Sequence, residues 1–114
     1  AIEVAKFLLS AGVKKIKAYD PVAGGNFLKY FSGQAGAAKI ELAETEGQAM
    51  LKAEVLIIAG DWPQFRELDG LIKSNLPKGV IIMDGRRMLQ QKYEELAQAG
   101  YNIIAVGSPV IKAK

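Results

Sequence analysis

Two stretches constrain this chain more than any others: VLIIAG at residues 55–60 and VIIMD at residues 80–84. Each is an apolar run of strand length, the second closed by the acid Asp84, that empties into turn-forming residues, Asp61-Trp62-Pro63 in one case and Gly85-Arg86-Arg87 in the other. A strand that alternates apolar and polar residues has one wet face, whereas a strand apolar throughout reads as buried on both, the habit of parallel sheets covered by helices. Between the runs lies LDGLIKSNL, apolar at helical spacing. Strand, helix and strand in that order call for a crossover connection and a parallel pair.

The same alternation extends outward. Ile2, Val4, Ala5, Phe7, Leu8 and Leu9 keep one helical face apolar over about residues 1 to 11, with Gly12 as the stop. KKIKAYDP reads as a strand through Ile16, Ala18 and Tyr19, ended by Asp20-Pro21. A short helix is expected around Asn26 to Phe31, then a turn of small residues, then a short strand at Ile40 and Leu42. Thr45 and Gln48 have the spacing of a capping box for a helix ending near Lys52. Asp61 is placed to cap a further helix with Pro63 in its first turn. A helix over roughly Gln91 to Ala99, closed by Gly100, and a strand NIIAV ending at Gly107 complete the series. The fold predicted is α/β: three-layer, doubly wound and Rossmann-like, on a mainly parallel sheet of about five strands. Such domains normally open on a strand, and this one opens on a helix. Residues 1–114 are therefore expected to be one domain cut from a longer chain, with its N-terminal strand missing.

Composition narrows the chemistry. Of 114 residues half are apolar and 24% charged, as in a single compact domain. No apolar run approaches the roughly 20 residues that cross a bilayer, and the expected setting is soluble and cytoplasmic, with no membrane contact. The chain has no Cys and no His. That removes thiolate nucleophiles, Ser/His and Cys/His triads, imidazole acid-base chemistry and the usual transition-metal ligands. What remains suits a binder better than a catalyst; no catalytic residue and no metal site is expected. The formal charge of +3 is spread over Lys14-Lys15-Ile16-Lys17, Lys29, Lys39, Arg86-Arg87, Lys112 and Lys114. Without clustering or interleaved aromatics, this is no nucleic-acid face.

In an open parallel sheet the ligand crevice lies beyond the carboxyl ends of the strands. The residues to read are then Asp20, Asp61-Trp62, Asp84-Gly85-Arg86-Arg87 and Gly107-Ser108. Gly85 is expected to take a positive φ that aims the next side chain back over the sheet edge. An arginine there offers a planar, permanently charged fork suited to phosphate oxygens. The competing reading is that both arginines are solvated or paired with Asp84 or Glu94, and on spacing alone that reading leads, because surface charge after a strand is common. Trp62 and Phe65 read first as core packing. Neither Gly24-Gly25 nor the SGQAG stretch forms a phosphate cradle at a strand-to-helix turn.

Taken together and in order, KIKAYDPVA, AEVLIIAGDWPQFRELD, VIIMDGRRML and AGYNIIAVG resemble the carboxyl-terminal, UDP-binding domain of the UDP-glucose/GDP-mannose dehydrogenases, most closely the UDP-glucose 6-dehydrogenase branch. The resemblance covers nearly the whole chain, and the joint occurrence of the phrases is far more specific than any one of them. Gly60-Asp61 stands where Thr-Glu is usual. The resemblance implies that an N-terminal Rossmann domain outside this chain holds NAD and that this domain contributes to the nucleotide-sugar site. It implies that the arginine of D-G-R, here Arg86, contacts the substrate, while Arg87 stays solvated or paired. It also implies a parent reaction in which the C6 alcohol of a UDP-sugar, UDP-glucose foremost, is oxidised to a carboxylate with two NAD, through a thiohemiacetal on a cysteine outside this chain. The parent is expected to be a homo-oligomer, and the isolated 114-residue chain to turn over nothing.

Two readings from other classes compete. A phosphoacceptor receiver would use Asp61, but it needs a second acid beside Asp20 and a lysine after the last strand, where Gly107-Ser108-Pro109 stands. A non-catalytic interaction domain needs neither.

Overall fold

The computed structural model describes residues 2–21, 29–34 and 36–114. The chain falls into two compact units, residues 1–49 and 50–114. The architecture is α/β with every strand pairing between named strands parallel. The strands are divided between a two-stranded and a three-stranded sheet.

The first unit holds α1 (Ile2–Ser10), β1 (Ile16–Ala18) and β2 (Ile40–Leu42). Gly12 ends α1 as expected of a glycine stop, in the left-handed region at φ 91. Ile16 lies opposite Ile40 and Ala18 opposite Leu42. The core is thin: Ala5, Phe31 and Ile40 are buried, with Leu9 and Ile16 packed against them. The helix expected around Asn26 to Phe31 lies outside the described residues up to Leu28, as does Gly24-Gly25; Lys29 to Phe31 are helical. At the end of this stretch of sequence comes α2 (Glu46–Met50). Thr45 Oγ1 accepts the Gln48 N–H at 3.1 Å. Gln48 Oε1 in turn accepts the N–H of Glu44 at 3.0 Å, one residue earlier than the usual reciprocal bond.

The second unit is built on β3 (Val55–Ile58), β4 (Ile81–Asp84) and β5 (Asn102–Ala105), in that order across the sheet. Ile58, Asp84 and Ala105 stand in one row at the carboxyl ends of the three strands. α3 (Leu68–Asn75) lies between β3 and β4 in sequence, and α4 (Tyr93–Gln98) between β4 and β5. Leu68 and Ile72 of α3 and Leu96 and Ala97 of α4 are buried with Ile82 and Ile103. The Tyr101 hydroxyl donates to the Leu76 carbonyl at 2.7 Å, satisfying an acceptor at the end of α3.

Burial on both faces does not hold for the central strand. Along β4 and β5 it alternates: Ile82, Asp84, Ile103 and Ala105 are buried, whereas Met83 and Ile104 are 38% and 37% exposed. The apolar run therefore reports residues of both faces, only one of which is fully covered. Past β5 the chain returns along that strand's free edge, where Ile111 exchanges both backbone hydrogen bonds with Ile103 at 2.8 and 3.0 Å. That bridge occupies the edge-facing N–H and C=O of Ile103, groups that an open edge would offer to another chain. Among the described residues, no helix is long and apolar enough to cross a membrane.

Candidate functional site

Three strand exits meet at the carboxyl end of the three-stranded sheet, and the chain leaves each in a different way. From β3, Ala59 and Gly60 lead to Asp61, after which Pro63–Glu67 winds into a 3-10 turn. That turn is anchored by buried Phe65, whose N–H donates to the Trp62 carbonyl at 2.9 Å. Trp62 is the cap residue and makes no side-chain capping bond. Asp61 is thus not the helix cap that its place before Pro63 suggested, because the turn starts one residue later. Its carboxylate points instead to the neighbouring exit.

At the end of β4, Asp84 is fully buried and its carboxylate is saturated by the chain that follows. It accepts the N–H of Met88 at 3.0 Å, the N–H of Leu89 at 2.8 Å and the hydroxyl of Tyr93 at 2.8 Å. An unpaired buried carboxylate would be costly; three donors offset that cost. Burial, with this bond and the charge of Asp84, pushes the Tyr93 hydroxyl well above its ordinary value of 10.0. Asp84 is therefore the knot of the turn, and it is no partner for either arginine.

Between Asp84 and Met88 the chain makes its tight bend. The Gly85 N–H donates to the Ile58 carbonyl at 3.0 Å, and a Cβ at Gly85 would stand 3.2 Å from that same oxygen. Glycine is needed here for room, not for a positive φ. The left-handed residue is Arg87, at φ 54, a conformation that costs a non-glycine residue about 1–2 kcal/mol. Its guanidinium offsets the strain: Nη1 donates to the Val106 carbonyl and to Ser108 Oγ, both at 2.6 Å. Nε donates to Gln90 Oε1 at 3.3 Å. Arg87 thus ties the β4 exit to the β5 exit, and Ser108 enters the site as its acceptor.

Arg86 is left pointing outward. Its Nη2 lies 3.1 Å from Asp61 Oδ2, with the two side chains 53% and 72% exposed. One of the five guanidinium N–H groups is engaged there. The pairing with Glu94 considered from sequence does not occur: the Glu94 carboxylate pairs with Lys114 instead, and that hydrogen bond and charge hold it below its ordinary value. Beside the Arg87 bend is a cleft of about 530 Å³ whose walls include Arg66, Glu67, Arg87 and Lys92. Lys92 is paired with Asp69 at 3.2 Å. Although burial alone would raise the Asp69 carboxyl, the hydrogen bond and charge of Lys92 bring it below its ordinary value. The structure therefore brings Asp61, Asp84, Gly85, Arg86, Arg87 and Ser108 to one edge; Asp20 belongs to the first unit. Among the described residues, no group of three His, Cys, Asp or Glu side chains could hold a metal ion.

The family model that matches this chain, over residues 1–91, describes the UDP-glucose/GDP-mannose dehydrogenase family, UDP binding domain. The chain belongs to this family. The whole bend from Asp84 to Arg87 lies inside the match. UDP-glucose 6-dehydrogenase TuaD of Bacillus subtilis is 29% identical over 112 residues, 98% of this chain and 23% of that protein. The UDP-glucose 6-dehydrogenase of Rickettsia felis is 30% identical over 116 residues, all of this chain and 24% of that protein. That of Gallus gallus is 27% identical over 118 residues, covering 96% of this chain and 24% of the protein. The chain thus spans about a quarter of the length of these dehydrogenase relatives. Sequence reasoning missed the knot at Asp84 and the tie from Arg87 to Ser108. A lone acid ending an apolar strand signals the first; nothing in the local sequence signals the second.

Proposed function

We propose that this chain is the carboxyl-terminal, nucleotide-sugar-binding domain of an NAD-dependent UDP-glucose 6-dehydrogenase, and that Arg86 meets the diphosphate of the UDP-sugar. The observation that carries this reading is the outward guanidinium at the carboxyl end of three parallel strands, held on a bend that Asp84 and Arg87 make rigid. Parallel sheets place their ligands there, and a phosphate oxygen pair fits the arginine fork. The cationic lining of the adjacent cleft favours the same sign of ligand.

NAD, the hydride acceptor of the parent reaction, does not fit the residues of this chain. No strand here opens into a G-x-G-x-x-G turn, so cofactor binding belongs to another part of the protein. The chain's own share is to bind and orient. The parent enzyme is read as a cytoplasmic homo-oligomer converting UDP-glucose to UDP-glucuronate, with this domain alone inert.

Thermal unfolding with UDP-glucose or UDP at millimolar concentration tests the reading. Both ligands should raise the midpoint, as linkage requires of anything that binds only the folded state. Arg86→Ala should abolish the rise while leaving the unliganded stability within about 0.5 kcal/mol of wild type, since its ion pair is exposed. An unmoved midpoint in the wild-type chain, or an Arg86→Ala variant that still responds fully, would refute it. NAD reduction by this chain with UDP-glucose would refute its inertness.

A further inference from the structure

We infer that Asp61 is a specificity-determining residue of this site, one that weighs the charge of the ligand Arg86 accepts and favours a diphosphate esterified at both ends over a free nucleoside diphosphate. The inference rests on the reading of Arg86 given above and goes beyond it.

Asp61 has no structural duty that explains it. It caps no helix, and its one arginine bond, with side chains 72% and 53% exposed, belongs to a class worth about 0–1 kcal/mol. Its position is nevertheless well determined. Buried Phe65 and the 3-10 turn fix the β3 exit from behind, and Ile58, at the end of β3, lies in register with Asp84 at the end of β4. The carboxylate thus stands 3.1 Å from the group that meets the ligand.

An anion approaching Arg86 therefore meets a pair with no net charge. It gains from the guanidinium and loses to the carboxylate, and the loss grows with the anion's charge. A sugar nucleotide carries one charge on each phosphate, because both are esterified. A free nucleoside diphosphate ends in a phosphate monoester, which carries close to two charges at neutral pH. The extra charge of a free nucleoside diphosphate is repelled by Asp61, whereas the doubly esterified diphosphate of a sugar nucleotide does not carry it.

Asp61→Asn separates charge from geometry, since the amide oxygen can still accept from Arg86 Nη2. Calorimetric titrations of wild type, Asp61→Asn and Arg86→Ala with UDP-glucose and with UDP, each at low and high ionic strength, decide the matter. We expect Asp61→Asn to tighten UDP about threefold more than UDP-glucose at low salt, the size of one unit charge at several ångströms in a watery dielectric. The gap should close at high salt. A residue that only holds the loop would shift both ligands alike at every salt concentration. An unchanged UDP to UDP-glucose ratio, with Arg86→Ala still weakening both, overturns the role of Asp61 alone. Failure of Arg86→Ala to weaken either ligand, or of the wild-type chain to bind them, overturns the reading of Arg86 and this inference with it.

Discussion

Asp61 and Asp84 occupy similar places in the sequence, each closing an apolar run, yet Asp84 is fully buried on three donors while Asp61 stands 72% exposed on one arginine. The difference comes from where each falls on its strand. Asp84 is the last residue of the central strand, and the two-residue period puts it on the covered face with Ile82. The bend that follows then brings back the N–H groups of Met88 and Leu89 to meet it. Asp61 lies past the end of an edge strand, on a segment directed by Pro63 and Phe65, where water reaches it. One carboxylate builds the turn; the other stands exposed beside Arg86.

Substitutions should widen or close that contrast in a definite order. Asp84→Ala leaves two backbone N–H groups and a hydroxyl buried without an acceptor, and should cost about 3 kcal/mol in urea unfolding monitored by circular dichroism. A cost below that of Asp61→Ala would break the comparison outright. Arg87→Ala should lose about 2 kcal/mol, as its three guanidinium hydrogen bonds go while the left-handed strain stays. Arg87→Gly should lose visibly less, because glycine takes φ 54 freely. Tyr93→Phe removes one of the three donors to Asp84 and should cost about 1 kcal/mol by the same assay.

Alkali sharpens the same point. The Tyr93 hydroxyl is raised, by burial first and by Asp84 second, above its ordinary 10.0. A group whose folded value lies above its unfolded value stabilises fully below the unfolded value and loses that contribution as pH climbs. Wild-type stability should therefore fall with pH above about 10 by more than that of Tyr93→Phe, measured as urea midpoints along a pH series. Equal slopes would place Tyr93 in water. Smallest of all, Asp61→Ala should move stability by under about 0.5 kcal/mol, even as it changes ligand binding.

The periodicity of VLII and VIIM, with helical spacing between them, was enough to call for parallel strands in an α/β fold, because backbone pairing and apolar burial repeat along the chain and are visible locally. The Thr45 cap and the Gly12 stop were legible for the same reason: each is satisfied within a few residues. What could not be read was which face of each run is covered, and that depends on what packs there, not on the run itself. Nor could the sequence tell that Gly85 is required for clearance from the Ile58 carbonyl and that the strained residue is Arg87. Both follow from neighbours far along the chain, in the preceding strand β3 or beyond β5. The residue types at the bend were set by sequence; the division of labour between Arg86, which faces outward, and Arg87, which binds Val106 and Ser108, was decided only when the strands came into register.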